Sequence, residues 1–247
     1  MPIWLQAGFW GLFGGSALVA GAAIAYLVAL PKRVTAGIMA FGCGVLISAV
    51  AYDLIMDGYE KGGLWPIVGG ALLGSAAYTL ANWLISRNGG AHRKRSAPKS
   101  SGSEGGLAIA VGSLLDGIPE SLVLGVGLLG GHGVNLAMLA AVFLSNLPEG
   151  LSSAVGMKSA GHKRGYIFGM WSGIAIMSGL ASLLGAALLG GAAPEVLATV
   201  NAIAAGALLT MIVDTMIPEA VDGDGGATGA LVVIGLLVAF AISQLGG

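Results

Sequence analysis

The sequence predicts an all-α polytopic membrane protein of eight transmembrane helices. Three observations predict it. First, 56% of the 247 residues are hydrophobic and only 9% are charged. A soluble domain averages about 25% charged residues, and the mean hydropathy here is +0.89. Second, eight apolar runs each come near the roughly 20 residues that a helix needs to cross a bilayer. Third, the cations sort to one side of those runs.

The runs cover about 7–30, 35–56, 65–86, 106–129, 135–157, 166–190, 196–220 and 227–245. Lys32 and Arg33 part the first from the second. Arg87, Arg93, Lys94, Arg95 and Lys99 lie between the third and fourth. Lys158, Lys163 and Arg164 lie between the fifth and sixth. The sixth and seventh are separated by Gly191-Ala192-Ala193-Pro194-Glu195, a cluster of helix breakers. Ten of the eleven Lys and Arg therefore fall on one side, and only Lys61 on the other. By the positive-inside rule those loops are cytoplasmic. With eight spans both termini then face outward, and the expected location is the plasma membrane.

The chain reads as a single transmembrane domain over residues 1–247. The connection over 87–106 is its longest, rich in Gly, Ser and cations, and reads as a flexible cytoplasmic loop. The 44 glycines lie within apolar runs, where they let helix backbones approach closely in lipid. Such faces permit a homodimer. One cysteine, Cys43, excludes an intramolecular disulfide and a CxxC site. The N-terminus lacks the basic stretch of a cleaved signal peptide. Beyond one short basic loop nothing supports nucleic-acid binding.

The residues that carry chemistry interrupt the apolar runs. Asp116-Gly117-Ile118-Pro119-Glu120 places two carboxylates and a proline at membrane depth. A near copy, Ser145-Asn146-Leu147-Pro148-Glu149, follows. Pro218-Glu219 closes a later run that also carries Asp214. Ionisable groups are costly in a bilayer and mark ion pathways or sites. Asp116 and Glu120, at i and i+4, share a helix face. Two such carboxylates repel unless a cation or proton lies between them. Pro119 and Pro148 displace the carbonyls of Leu115 and Leu144 from the helical ladder, which offers spare oxygens. The alternative is a proline kink with an interhelical hydrogen bond. Asp53 stands near the outer end of the second span, either in a solvated mouth or in an acidic vestibule that attracts cations. Asp222-Gly223-Asp224-Gly225 lacks the downstream glutamate of a calcium loop and reads as a polar turn.

The two proline-glutamate segments resemble the paired signatures of the ZIP (Zrt/Irt-like) divalent metal transporters, His-Asn-x-Pro-Glu-Gly and His-x-x-Pro-Glu-Gly. Ala205-Gly206-Ala207-Leu208-Leu209, followed by Asp214 to Glu219, resembles that family's seventh span, and Ala40-Phe41-Gly42 to Asp53 its second. The resemblance implies that Glu120 and Glu149 are metal ligands, with Asp116 and Ser145 at the positions of the signature histidines. Gly117 stands at an asparagine ligand and supplies no side chain, and Asn146 follows the fifth-helix histidine position. Asp214 stands where the family often has a histidine on the transport path. It also implies a bundle in which spans 1–3 and 6–8 could be inverted repeats flanking spans 4 and 5.

Both signature histidines are replaced. His92, His132 and His162 all fall in predicted loops, and Cys43 lies outside these segments. The expected site is therefore built of oxygens: Asp116, Glu120, Ser145, Asn146 and Glu149, with Asp214 and Asp53 on the path. Oxygen donors favour hard ions such as magnesium, calcium and manganese, although zinc also accepts carboxylates. The expected substrate is thus a divalent ion: Zn, Mn, Fe, Cd or a harder ion. Two other functions compete. A relative that has lost transport would act as a sensor or assembly partner. An intramembrane enzyme would use two carboxylates as an acid–base pair, but HExxH is absent and no Ser–His pair falls within the spans, so no enzyme is expected.

Overall fold

The computed structural model describes residues 1–28, 30–87, 103–130, 133–223 and 226–245. His92, Arg93, Lys94, Arg95, Lys99, His132 and Asp224 lie outside the described residues. Every regular element among the described residues is helical. In chain order the long helices are α1 (Ile3–Leu27), α2 (Lys32–Gly62), α3 (Leu64–Ile85), α4 (Ser103–Gly127), α5 (Leu136–Ser159), α6 (Arg164–Leu189), α7 (Pro194–Gly223) and α8 (Thr228–Leu245). The first seven are long and apolar enough to cross a membrane. The eighth is shorter, its apolar stretch running Thr228–Gln244. The protein is thus an all-helical, membrane-embedded chain.

Helix ends differ from the apolar runs because polar residues continue a helix once it has started. α2 runs on through Asp57 and Glu60 to Gly62. Gly63 ends it in a left-handed conformation (φ 76°) that only glycine adopts at no cost. α4 starts at Ser103, within the connection expected as loop. α5 starts at Asn135, whose side chain accepts the Met138 backbone N–H at 2.9 Å, an ordinary N-cap.

Two helices are widened partway along. α2 is π-helical over Ala49–Met56 and α7 over Ile212–Met216. Each widened stretch carries one aspartate, Asp53 and Asp214. π-bulges are rare and frequent at functional sites.

Packing follows the glycines. A Cβ on Gly74 would lie 1.9 Å from the Ile203 carbonyl oxygen, and one on Gly206 2.0 Å from that of Ala71, which joins α3 to α7. Gly44 and Gly235 join α2 to α8 in the same manner, with 1.9 Å to Val232 and 2.1 Å to Phe41. Gly21 and Gly150 join α1 to α5, and Gly125 joins α4 to α6 at Ser182. Only a residue without Cβ lets backbones meet this closely. α1 also packs along α6. The helices thus form two groups, α1, α4, α5 and α6 in one, and α2, α3, α7 and α8 in the other. They meet chiefly where α5 touches α2 and α4 touches α7.

Candidate functional site: a carboxylate ladder

Asp116, Glu120 and Glu149 are all buried, at 2%, 2% and 7% exposure. α4 and α5 continue through Pro119 and Pro148, which lie inside them. The α4–α5 seam is bridged twice. Ser145 Oγ on α5 lies 3.1 Å from Glu120 Oε1, and Ser113 Oγ on α4 donates to Glu149 Oε1 at 2.8 Å. Each helix thus offers a hydroxyl to the other's glutamate. The Ser145 hydroxyl also reaches the Val142 carbonyl at 2.9 Å. Its single hydrogen serves one acceptor at a time.

Asp116 shares a helix face with Glu120 but is held from a different side. The Tyr78 hydroxyl on α3 donates to Asp116 Oδ1 at 2.6 Å, and Tyr78 is itself buried. On α7, Glu219 accepts a hydrogen bond from Ser152 of α5. Four carboxylates, Glu120, Asp116, Glu149 and Glu219, therefore each meet a hydroxyl from another helix. On α5 the partners span Ser145 to Ser152, about 10 Å along the axis at 1.5 Å per residue. Ser153, next to the ladder, has a buried Oγ with no hydrogen-bond partner among the described residues.

The other expected residues fall elsewhere. Asn146 turns to α1, where its side-chain amide donates to the Gly14 carbonyl at 3.3 Å. The Leu144 carbonyl freed by Pro148 borders α2, since a Cβ on Gly42 would stand 3.1 Å from it. Asp214 is exposed on α7. Asp53 is half-buried at the far end of α2, where its side chain shares hydrogen bonds with Asn135 and Ser243. Those neighbours begin α5 and end α8, so Asp53 sits at the mouth of the bundle.

Sequence reasoning missed Tyr78, Ser113 and Ser152, and it weighed Glu219 without including it in the site. Among the described residues no three His, Cys, Asp or Glu side chains gather closely enough to hold one metal ion together. Chemically, the ladder offers successive pairs of one carboxylate and one neutral hydroxyl. The spans that carry it contain no Lys, Arg or His until Lys158 in the last turn of α5. Glu120 and Glu149 lie in the α4–α5 seam, while Asp116 is held from α3 and Glu219 lies on α7. No known family's sequence profile matches the chain, and no curated protein is significantly similar to it.

Proposed function

We propose that this protein carries a divalent metal cation across the plasma membrane, along the seam between α4 and α5, as a divergent relative of the ZIP transporters. The observation that carries the reading is the pair of buried glutamates, Glu120 and Glu149, each bridged by a hydroxyl across the α4–α5 seam, with Asp116 and Glu219 held by hydroxyls of neighbouring helices. Carboxylate and hydroxyl oxygens are hard donors, so the reading favours manganese or a harder ion over tight zinc. The ion would pass between neighbouring oxygen sites and never sit in one compact cage. Glu120 and Glu149 act as the primary ligands at successive positions, Asp116 and Ser145 add oxygens beside Glu120, and Asp53 collects ions at the outer mouth.

Two features support an inverted-repeat plan of spans 1–3 and 6–8. α2 and α7 each carry an aspartate in a widened turn, and the α2–α8 contact mirrors the α3–α7 contact. Sites at the interface of such repeats are common in carriers. Outward termini and cytoplasmic basic loops complete the proposed arrangement.

The test is metal uptake into proteoliposomes by wild type, Glu120→Ala and Glu149→Ala, with Mn, Zn, Fe, Cd, Mg and Ca in turn. Loss of a ligand made at the transport barrier should slow uptake about tenfold or more, since about 1.4 kcal/mol is a factor of ten. Undiminished uptake by both variants would remove the assignment. A second reading, a relative that senses ions without moving them, draws on the replacement of both signature histidines, by Asp116 and Ser145. It predicts thermal stabilisation by the same metals with no uptake by wild type.

A further inference from the structure

At the end of the bundle opposite Asp53, a basic turn between α5 and α6 gathers charges of one sign. Lys158 ends α5, Gly161 turns the chain with φ 85°, and Lys163 and Arg164 open α6. Lys158 Nζ stands 4.8 Å from the centroid of the Tyr26 ring, and Arg164 Cζ stands 5.7 Å from that same centroid. Arg164 also lies 5.5 Å from the Phe168 ring, which is itself 5.5 Å from Tyr26. Two cations thus converge on one aromatic pair at the tips of α1, α5 and α6.

Cation–π attraction holds each of them to the rings, and each remains a positive charge. Among the described residues the one ion pair is Lys61 with Asp57, far away at the other end of α2. Among the described residues no carboxylate forms an ion pair with Lys158, Lys163 or Arg164. α6 also starts without a side-chain cap or an acidic residue in its first turn, so its N–H groups add to the positive potential. Exposed Tyr166 flanks the cluster, and tyrosines of that kind sit at lipid headgroup level. An anion that lies at the boundary between water and hydrocarbon completes this arrangement.

We infer that Lys158, Arg164 and Lys163, with Tyr26 and Phe168, bind the phosphate headgroup of an anionic phospholipid. Arg164 supplies the planar fork that matches phosphate oxygens and Lys158 a point charge. The rings cover the first acyl carbons beneath the headgroup. The site is independent of the metal reading, since it needs only membrane embedding.

The test is native mass spectrometry of the purified protein in an equal mixture of phosphatidylglycerol and phosphatidylcholine. One near-surface cation corresponds to about a fivefold preference for an anionic lipid. Wild type should retain phosphatidylglycerol over phosphatidylcholine by at least that factor. The Lys158→Gln/Arg164→Gln double variant should fall to parity, while Lys61→Gln should keep the preference. If the double variant does not fold, Lys158→Gln alone should lose most of the preference. Equal retention of both lipids by wild type, or an unchanged preference in the folded variants, overturns the proposal. Displacement of the bound lipid by inorganic phosphate also overturns it, in favour of a site for the free ion.

Discussion

Asp116 and Glu120 stand one turn apart on α4, yet they answer to different helices. The Tyr78 hydroxyl on α3 holds Asp116 at 2.6 Å, while Ser145 on α5 meets Glu120. Removing one partner of a buried hydrogen bond costs about 1–3 kcal/mol. Tyr78→Phe should therefore lower the unfolding temperature in detergent. On the cation-transport reading, added manganese should recover part of that loss by binding the folded state. An unchanged melting curve without metal would show that Tyr78 contributes packing alone. The acids were legible in the sequence because a charge inside an apolar run has few innocent explanations. Tyr78, Ser113 and Ser152 were not, because a tyrosine or serine in a membrane helix is unremarkable by itself. Their roles depend on the register between helices whose paired residues lie 36 to 67 positions apart. No local pattern encodes that register. Asn146 shows the converse. It adjoins Ser145, but one step along a helix turns a side chain by about 100°, and this one faces α1.

Among the elements, the spans were readable as apolar runs and the glycines as contact points, but the ends and the widened turns were not. A π-helical stretch has no composition of its own, so Ala49–Met56 and Ile212–Met216 look like ordinary helix in the sequence. The glycines sort into two kinds that the sequence cannot distinguish. On Gly206 a Cβ would press to 2.0 Å from the Ala71 carbonyl oxygen, whereas on Gly169 it would meet nothing within 4 Å. Gly206→Ala should thus destabilise by about 1–3 kcal/mol through overpacking. Gly169→Ala should be neutral or stabilising by up to about 1 kcal/mol, as the helix gains a better former. Thermal unfolding of both variants in one detergent checks the pair. Equal melting temperatures would mean that the α3–α7 contact is looser than the backbone distances indicate.

For the whole molecule, the bias of the cations gives an orientation that labelling can test. Cys43 is fully buried, so the native protein supplies a silent background for a membrane-impermeant maleimide. Lys61→Cys should react on intact cells, and Lys163→Cys only after the membrane is opened. The reverse order would invert the proposed topology and move the basic turn, with its lipid site, to the outer leaflet.

The backbone contacts at Gly21, Gly44, Gly74, Gly125, Gly150, Gly206 and Gly235 also limit how the bundle can rearrange. Helices in van der Waals register along their main chains cannot roll over each other without lifting apart. α3 with α7, α2 with α8, α1 with α5 and α4 with α6 are therefore stiff couples. The joints between couples carry hydroxyls, Ser145, Ser113, Tyr78 and Ser152, each in contact with a carboxylate. A hydroxyl can release one oxygen and take another at little cost. On the cation-transport reading, the acids would then serve as clutch plates, engaged or freed by the positive charge that arrives beside them.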